Sequence, residues 1–215
     1  MLYRTQLRFA TYFFLVASFI TAPLIQTSFA HQIALYTIKD KNHLFEVEWA
    51  NEPVAVDDKT NIQFTALLPN ATDPTNPEAN GTQPITGLEN SLKVEISAGN
   101  KNMTSDLEPA FGELGSYESK TFYPTVATTY SFRIFGDING TSFDQTFACN
   151  PAGGEATKSD NSTVQISQDV VRKALVGGFG CPEPRVGFPE PYLPNVDIQS
   201  KLGMSNTPEN STLSK

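Results

Sequence analysis

The sequence is poor in the residues that most catalytic and metal sites are built from. Its 215 residues include two histidines, two cysteines and one tryptophan, and no histidine follows His43. It contains no H-E-x-x-H pair, no nucleophile elbow around a serine and no phosphate-binding glycine loop. We therefore expect neither an enzyme nor a resident cofactor.

Long apolar runs are also scarce, and only one occurs, over residues 9–25. Arg4 and Arg8 lie at its start and Ser28 and Ala30 follow it, which is the pattern that signal peptidase accepts. We expect residues 1–30 to be a signal peptide and His31 to begin the mature chain. A retained membrane anchor is the alternative, but the run is short for a bilayer span of about 20 residues. No later stretch is apolar enough to span a membrane.

Basic residues are outnumbered by acidic ones. The formal net charge is −8, and removal of residues 1–30 leaves 13 basic residues against 23 acidic ones. An acidic surface repels phosphate backbones, so the composition excludes nucleic acid as a partner.

The two cysteines, Cys149 and Cys181, predict a disulfide, because an even cysteine count in an exported chain favours pairing. Such a bridge stabilises the fold by about 3–4 kcal/mol. We expect an extracytoplasmic location: periplasm, cell surface or medium. Six N-x-[ST] sequons are glycosylation candidates, at Asn70, Asn80, Asn102, Asn139, Asn161 and Asn210.

Residues 31–149 show short runs in which apolar and polar side chains alternate, the period of half-buried strands. The clearest are LFEVEWA, NIQFTALL, LKVEIS and TYSFRIF. Asn139–Gly140 predicts a tight hairpin turn, and a second hairpin is expected around residues 39–42. The proline-rich stretch over 69–90 predicts a mobile surface loop. This spacing favours an antiparallel sandwich.

The pattern changes after Cys149. Val170, Val171, Ala174 and Leu175 have helical spacing, which predicts a short helix from about Ser167 that Gly177 ends. Five prolines in CPEPRVGFPEPYLPNVD predict an extension that runs over the surface, up to about residue 202 and tied down by the disulfide. Residues 203–215 are polar and read as a disordered tail.

The segments VEWANEPVAVDD, ITGLENSLKVEI and GSYESKTFYPTVATTYSFRIFG resemble a family of exported prokaryotic immunoglobulin-like domains, the YtkA-like and copper-resistance sandwich domains. The resemblance covers about residues 43–147 and implies an immunoglobulin-like antiparallel β-sandwich. Tyr130, which follows Pro124 by six residues, suits a tyrosine corner, whose hydroxyl ties a loop to the sheet.

The same resemblance makes copper binding worth considering. A mature amino-terminal His31 offers its α-amine and ring Nδ1, and His43 is the other histidine; imidazole suits Cu(II). A hairpin around residues 39–42, however, separates the two rings by roughly 23 Å. In the alternative interpretation, His31 is an exposed terminal residue and His43 a solvated turn residue.

We expect the chain to act as an exported, non-catalytic binding or accessory module of the cell envelope, with an unknown envelope protein as partner. The alternative is a copper-binding, metal-handling domain that uses His31. Six aromatic residues are candidates for either a partner surface or the core, at Phe111, Tyr117, Phe122, Tyr123, Phe135 and Phe143.

Overall fold

The computed structural model describes residues 31–151, 159–187, 193–195 and 197–198, and its elements are eleven strands and one 3-10 turn. The strands are β1 (Gln32–Ile38), β2 (Lys41–Trp49), β3 (Ile62–Leu68), β4 (Gln83–Pro84), β5 (Leu92–Ala98), β6 (Lys101–Pro109), β7 (Ser116–Ser119), β8 (Tyr130–Ile138), β9 (Thr141–Ala148), β10 (Val164–Ser167) and β11 (Val170–Gly177). The 3-10 turn is Leu88–Asn90. The predicted all-β class is confirmed.

The strands form one curled antiparallel sheet in the order β10-β11-β1-β2-β3-β7-β6-β5-β8-β9, with β4 paired to β3. Strand β6 links the two halves, because its first residues pair with β5 and its last three pair with β7. The curl surrounds one main core. The predicted hairpin at Asn139–Gly140 joins β8 to β9, and both residues have positive φ, as that turn requires.

The alternation seen in the sequence sets the core. In each of the four predicted strands, alternate residues are apolar and, apart from the exposed Leu68, are buried in the main cluster, including Phe45, Val47, Trp49, Ile62, Phe64, Leu92, Val94, Phe132 and Ile134. The residues between them face outward. Burial raises the pKa of Tyr130, and the nearby backbone N–H groups of Val126 and Thr125 act against that shift, so the hydroxyl lies beside the loop that a tyrosine corner would tie down.

The predicted helix from Ser167 is wrong. That segment is a hairpin of β10 and β11, and β11 pairs with β1 along its whole length. A bulge opposite Leu35 and Tyr36 reverses the alternation in β11, so that Val170 lies in the main core and Ala174 on the outer face. Because the bulge gives β11 buried apolar residues on both faces, their spacing in the sequence resembles the apolar face of a helix.

Residues 178–187, here called the C-terminal strap, follow β11 directly. The strap is held by the predicted Cys149–Cys181 disulfide and by a 2.8 Å hydrogen bond from Trp49 Nε1 to the Gly180 carbonyl. Phe179 is fully buried and stacks on Phe132. Further on, the Val56 N–H donates to the Glu183 carbonyl, and the Glu183 N–H donates to the Val54 carbonyl. The strap thus completes the core as well as lying over it.

The stretch over residues 69–90 is more structured than a plain surface loop. Its first part is a series of turns organised by Asn70, and its last part carries β4 and the buried Leu88. No helix of the described residues is long and apolar enough to cross a membrane. The predicted signal peptide, tail and Asn210 lie outside the described residues, as does the last part of the proline-rich extension, apart from 193–195 and 197–198.

Candidate functional site

His31 lies just before β1, on the outer face of the sheet. In β1, Ala34 and Tyr36 belong to the main core, whereas Ile33 and Leu35 belong to a second, smaller cluster on the opposite face. His31 has the same parity as Ile33 and therefore projects from the outer face. The register of β1 with β2 places it beside Glu48, since Gln32 pairs with Val47.

His43 projects from the other face of the same sheet. It pairs with the core residue Tyr36, and its ring lies 6.0 Å from that of Phe45. The two histidines are thus on opposite faces and about five residues, or roughly 17 Å, apart along the strand. They do not meet at one ion, and the two-histidine copper arrangement is not formed.

The interpretation of His43 as a solvated turn residue is wrong. The β1–β2 turn is only Lys39–Asp40, both at positive φ, so His43 belongs to β2 and is 2% exposed. Its Nδ1 lies 2.9 Å from the Lys41 carbonyl and donates to it, while the buried Nε2 has no hydrogen-bond partner among the described residues. Burial lowers the pKa of His43, so the ring is neutral in the fold.

The buried His43 predicts a loss of stability in acid. Its pKa is lower in the folded chain than the usual value near 6.5, so the unfolded chain takes up the proton first as the pH falls below that value. We expect His43→Leu to gain about 1 kcal/mol by removing an unpaired nitrogen and to flatten the decline of unfolding free energy between pH 7 and 5. Urea denaturation at several pH values measures both. Equal pH slopes in the variant and the parent protein contradict the prediction.

On the outer face of the sheet, His31 contacts two glutamates. Its Nδ1 lies 2.5 Å from Glu48 Oε2 and 3.1 Å from Glu46 Oε1. Both glutamates follow from the alternation in EVEW, where Val47 and Trp49 enter the core and the acids between them face outward. Glu52, just after the strand, adds a further carboxyl group, and within the described part of the chain its buried Oε1 has no hydrogen-bond partner.

Burial and neighbouring negative charges shift the pKa values of this cluster. The hydrogen bond to Glu48, aided by the charges of Glu46 and Glu52, outweighs burial and raises the pKa of His31 to about 8. Burial and the charge of Glu48 raise the pKa of Glu52 to about 7. Burial, Glu48 and Glu78 raise the pKa of Glu46, against the effect of His31. One imidazolium therefore sits among several carboxyl groups that it neutralises only in part.

The cluster opens onto a cavity of about 500 Å³, here called the acidic cavity. Its floor is the outer face of β1, β2 and β3, and its walls include residues 76–78 and the segment before β7. Of the residues that the structure describes, four line it with carboxyl groups, Glu46, Glu48, Glu78 and Glu113, and none of its lining residues is a lysine or arginine. Ile33 and Leu67 supply apolar surface to the same floor.

The acidic cavity is assembled from distant parts of the sequence, and of its lining residues only His31 was predicted as a site residue. Loops bring Glu78 and Glu113 near β2, and no local sequence pattern predicts the course of these loops. The positions of Glu46 and Glu48 were predictable, because these two residues alternate with core residues on β2, the strand that pairs with β1 next to His31. Among the described residues, no three or more His, Cys, Asp or Glu side chains are placed to hold a metal ion.

The sequons and aromatic residues separate by exposure. Asn80, Asn139 and Asn161 are exposed in turns or loops, Asn102 is exposed on β6, and Asn70 is half-buried. Of the six candidate aromatic residues, Tyr117 and Phe143 are buried, Phe122 and Phe135 are partly buried, and Phe111 and Tyr123 are exposed. The aromatic set is therefore divided between core and surface.

Comparison of the chain with protein-family models, with curated proteins and with solved structures yields no match.

Proposed function

We propose that this chain is an exported, non-catalytic binding module of the cell envelope, built as an immunoglobulin-like sandwich, whose acidic cavity binds a lysine or arginine side chain of a protein partner. One observation carries the proposal: four carboxyl groups line an open cavity without any lysine or arginine in the lining. The raised pKa of Glu46, which lines the cavity, marks a carboxyl group whose charged form an added cation would stabilise. The antiparallel strands and the disulfide support the fold and the export.

The shape of the cavity favours an organic cation over a metal ion. A metal needs several donors converging at about 2 Å, and the described residues offer no such group of three. The carboxyl groups are instead spread around a floor that includes Ile33 and Leu67. A lysine or arginine side chain suits this arrangement, since its carbon stem packs on apolar surface while its charged end reaches carboxylates.

His31 occupies part of this site as an internal cation. Its contacts with Glu46 and Glu48 use the acceptors that an incoming cation needs. As the pH rises from 6 to 9, His31 loses its proton in the cavity, because its pKa is about 8. The cavity becomes more negative in that range. Affinity for a cationic side chain should therefore increase with pH.

We expect His31→Ala to bind a short, end-capped arginine peptide about fivefold more tightly than the parent protein at pH 7, since one competing charge is gone. The gain should vanish at pH 9, where His31 is already neutral. Glu46→Gln should weaken binding at both pH values. Isothermal titration calorimetry at low ionic strength measures these affinities, because salt screens such pairs.

Glu95→Gln is the matched control, because Glu95 lies on β5 outside the cavity and its loss removes the same formal charge. Equal weakening by Glu46→Gln and Glu95→Gln would mean that net charge alone attracts the peptide, and the site would be wrong.

Copper handling is the second candidate, and the contacts of His31 with two carboxylates are what favour it. In this form it uses His31 without His43. The two functions make opposite predictions for His31→Ala, which abolishes binding of Cu(II) in the metal-handling function and strengthens peptide binding in the other. Cu(II) titration of the chain that starts at His31 tests this candidate. Equal Cu(II) uptake by this chain and by its His31→Ala variant eliminates it.

A further inference from the structure

The turn between β6 and β7, residues 110–115, presents two large apolar side chains to water, and we call it the apolar turn. Phe111 is fully exposed and Leu114 is 77% exposed. A single exposed apolar residue is ordinary on a protein surface, but these two lie three residues apart in one tight turn. Their grouping indicates a surface that contacts another molecule.

The backbone of the apolar turn is fixed by the sheet beside it. The Ala66 N–H donates to the Gly115 carbonyl at 2.8 Å, and a Cβ at Gly115 would lie 2.8 Å from the Pro84 Cβ. Inside the turn, Glu113 Oε2 accepts a 2.8 Å hydrogen bond from Gln63 Nε2. The two apolar side chains are therefore presented on a backbone that has little freedom left to lose when a partner binds.

A cavity of about 350 Å³, here called the turn cleft, lies between the apolar turn and residues 86–89. Leu114 and Tyr117 both line it. The Tyr117 hydroxyl donates to the Ile85 carbonyl at 2.8 Å and accepts the Leu88 N–H at 3.2 Å, which ties the second wall of the cleft to β7. The volume is at the lower end of the range for ligand pockets.

The turn cleft adjoins the acidic cavity, because Glu113 and Ser116 line both. Glu89 adds another carboxyl group to the turn cleft, and within the described ranges its lining has no lysine or arginine. Both cavities thus carry negative charge. Charge complementarity favours one basic segment that lies across the two.

We propose that the partner segment is an extended stretch that places a lysine or arginine in the acidic cavity and a large apolar side chain, such as leucine, against the apolar turn and in the turn cleft. The inference rests on the proposed function, since it names the second residue that the same partner carries. Side chains on one face of an extended chain recur every second residue, about 6.6 Å apart. Because the two cavities share lining residues, we place the apolar residue two positions from the basic one.

The charge around the apolar turn opposes a lipid surface or a second copy of this chain as the occupant. Glu113 lies in the turn, Glu89 lines its cleft, and the exposed Glu108 precedes it on β6. An anionic lipid surface would be repelled by these carboxylates. A symmetric contact between two turns would bring the same carboxylates together across the interface.

Isothermal titration calorimetry with three end-capped, serine-based peptides tests the proposal. The first carries one arginine, the second carries the same arginine with a leucine two positions before it and another two positions after it, and the third carries the leucines alone. We expect the parent protein to bind the second peptide about tenfold more tightly than the first, a gain that partial burial of one leucine side chain supplies. The third peptide should show no measurable binding.

The variant that combines Phe111→Ala with Leu114→Ala should reduce this tenfold gain to less than twofold and leave the affinity for the arginine-only peptide unchanged. Val126→Ala is the matched control, because Val126 is also exposed, at 50%, and lines neither cavity. It should retain the full gain. Glu46→Gln should weaken binding of both arginine peptides by the same factor, since it acts on the cation alone.

The outcomes separate this inference from the proposed function. Equal affinity of the parent protein for the two arginine peptides overturns the inference and leaves the cation site standing. Equal affinity for the leucine-only peptide and for the peptide with both residue types overturns both, because arginine then contributes nothing. Binding to phosphatidylglycerol vesicles, or dimer formation at sedimentation equilibrium, that the double variant loses would assign the turn to a membrane or to a second copy and would overturn the inference.

Discussion

Phe179→Ala should lower the free energy of unfolding by about 3–5 kcal/mol, the range for truncation of a fully buried phenylalanine. Phe179 is 0% exposed, belongs to the main core, and stacks on Phe132 with ring centroids 5.3 Å apart. Its removal leaves a cavity beneath the C-terminal strap that the backbone cannot fill, because Cys181 is held by the disulfide and Gly180 by Trp49. Urea denaturation followed by tryptophan fluorescence measures the loss.

Phe111→Ala is the matched control for this substitution. Phe111 is 103% exposed, so the same truncation there should change stability by less than about 0.5 kcal/mol. Phe179→Leu should fall between the two, since it retains most of the apolar volume. If Phe179→Ala lowers the free energy of unfolding no more than Phe111→Ala does, the strap does not pack in the core and our account of its role in the fold is wrong.

Gly136→Ala should destabilise the fold by more than about 4 kcal/mol or prevent folding altogether. Gly136 lies in β8 at φ 140°, and a Cβ there would be 1.9 Å from the Ser91 carbonyl oxygen. That carbonyl accepts the N–H of Asp137 at 3.1 Å, so neither strand can move away without breaking the pairing of β5 with β8. Yield of folded protein and the denaturation midpoint are the measurements.

Gly99→Ala separates steric overlap from backbone strain. Gly99 also has positive φ, but a Cβ there has no neighbour within 4 Å. Its substitution should cost only about 1–2 kcal/mol, the penalty of a left-handed conformation for an L-residue. If the two glycine variants lose equal stability, the close approach of Gly136 to Ser91 contributes nothing.

The strands were predictable because each needs only local information. Alternation in LFEVEWA or TYSFRIF identifies both the strand and its buried face, and Asn139–Gly140 identifies its turn. The β11 hairpin was misread because a bulge, which depends on the partner β1, changes the periodicity that local reading uses. The burial of His43 was missed because the turn before it has two residues rather than four.

The acidic cavity could not be predicted from the sequence, for a different reason. Its charged groups come from the start of β1, from β2, from residues 76–78 and from the approach to β7. Only the pairing of strands far apart in sequence brings them together. His31 was singled out for a chemistry that depended on His43, whereas its actual neighbours, Glu46 and Glu48, became visible only with the register of the first hairpin.

The pairing of β1 with β11 governs when the protein can fold. Gln32 pairs in register with Gly177, so one of the two strands that flank β1 lies more than 130 residues later in the sequence. Contacts of such long sequence separation form slowly, because a large loop must be closed before they contribute. The β1–β11 pairing can therefore form only after Gly177 has been synthesised, so the sheet cannot be completed before nearly all of its strands are available.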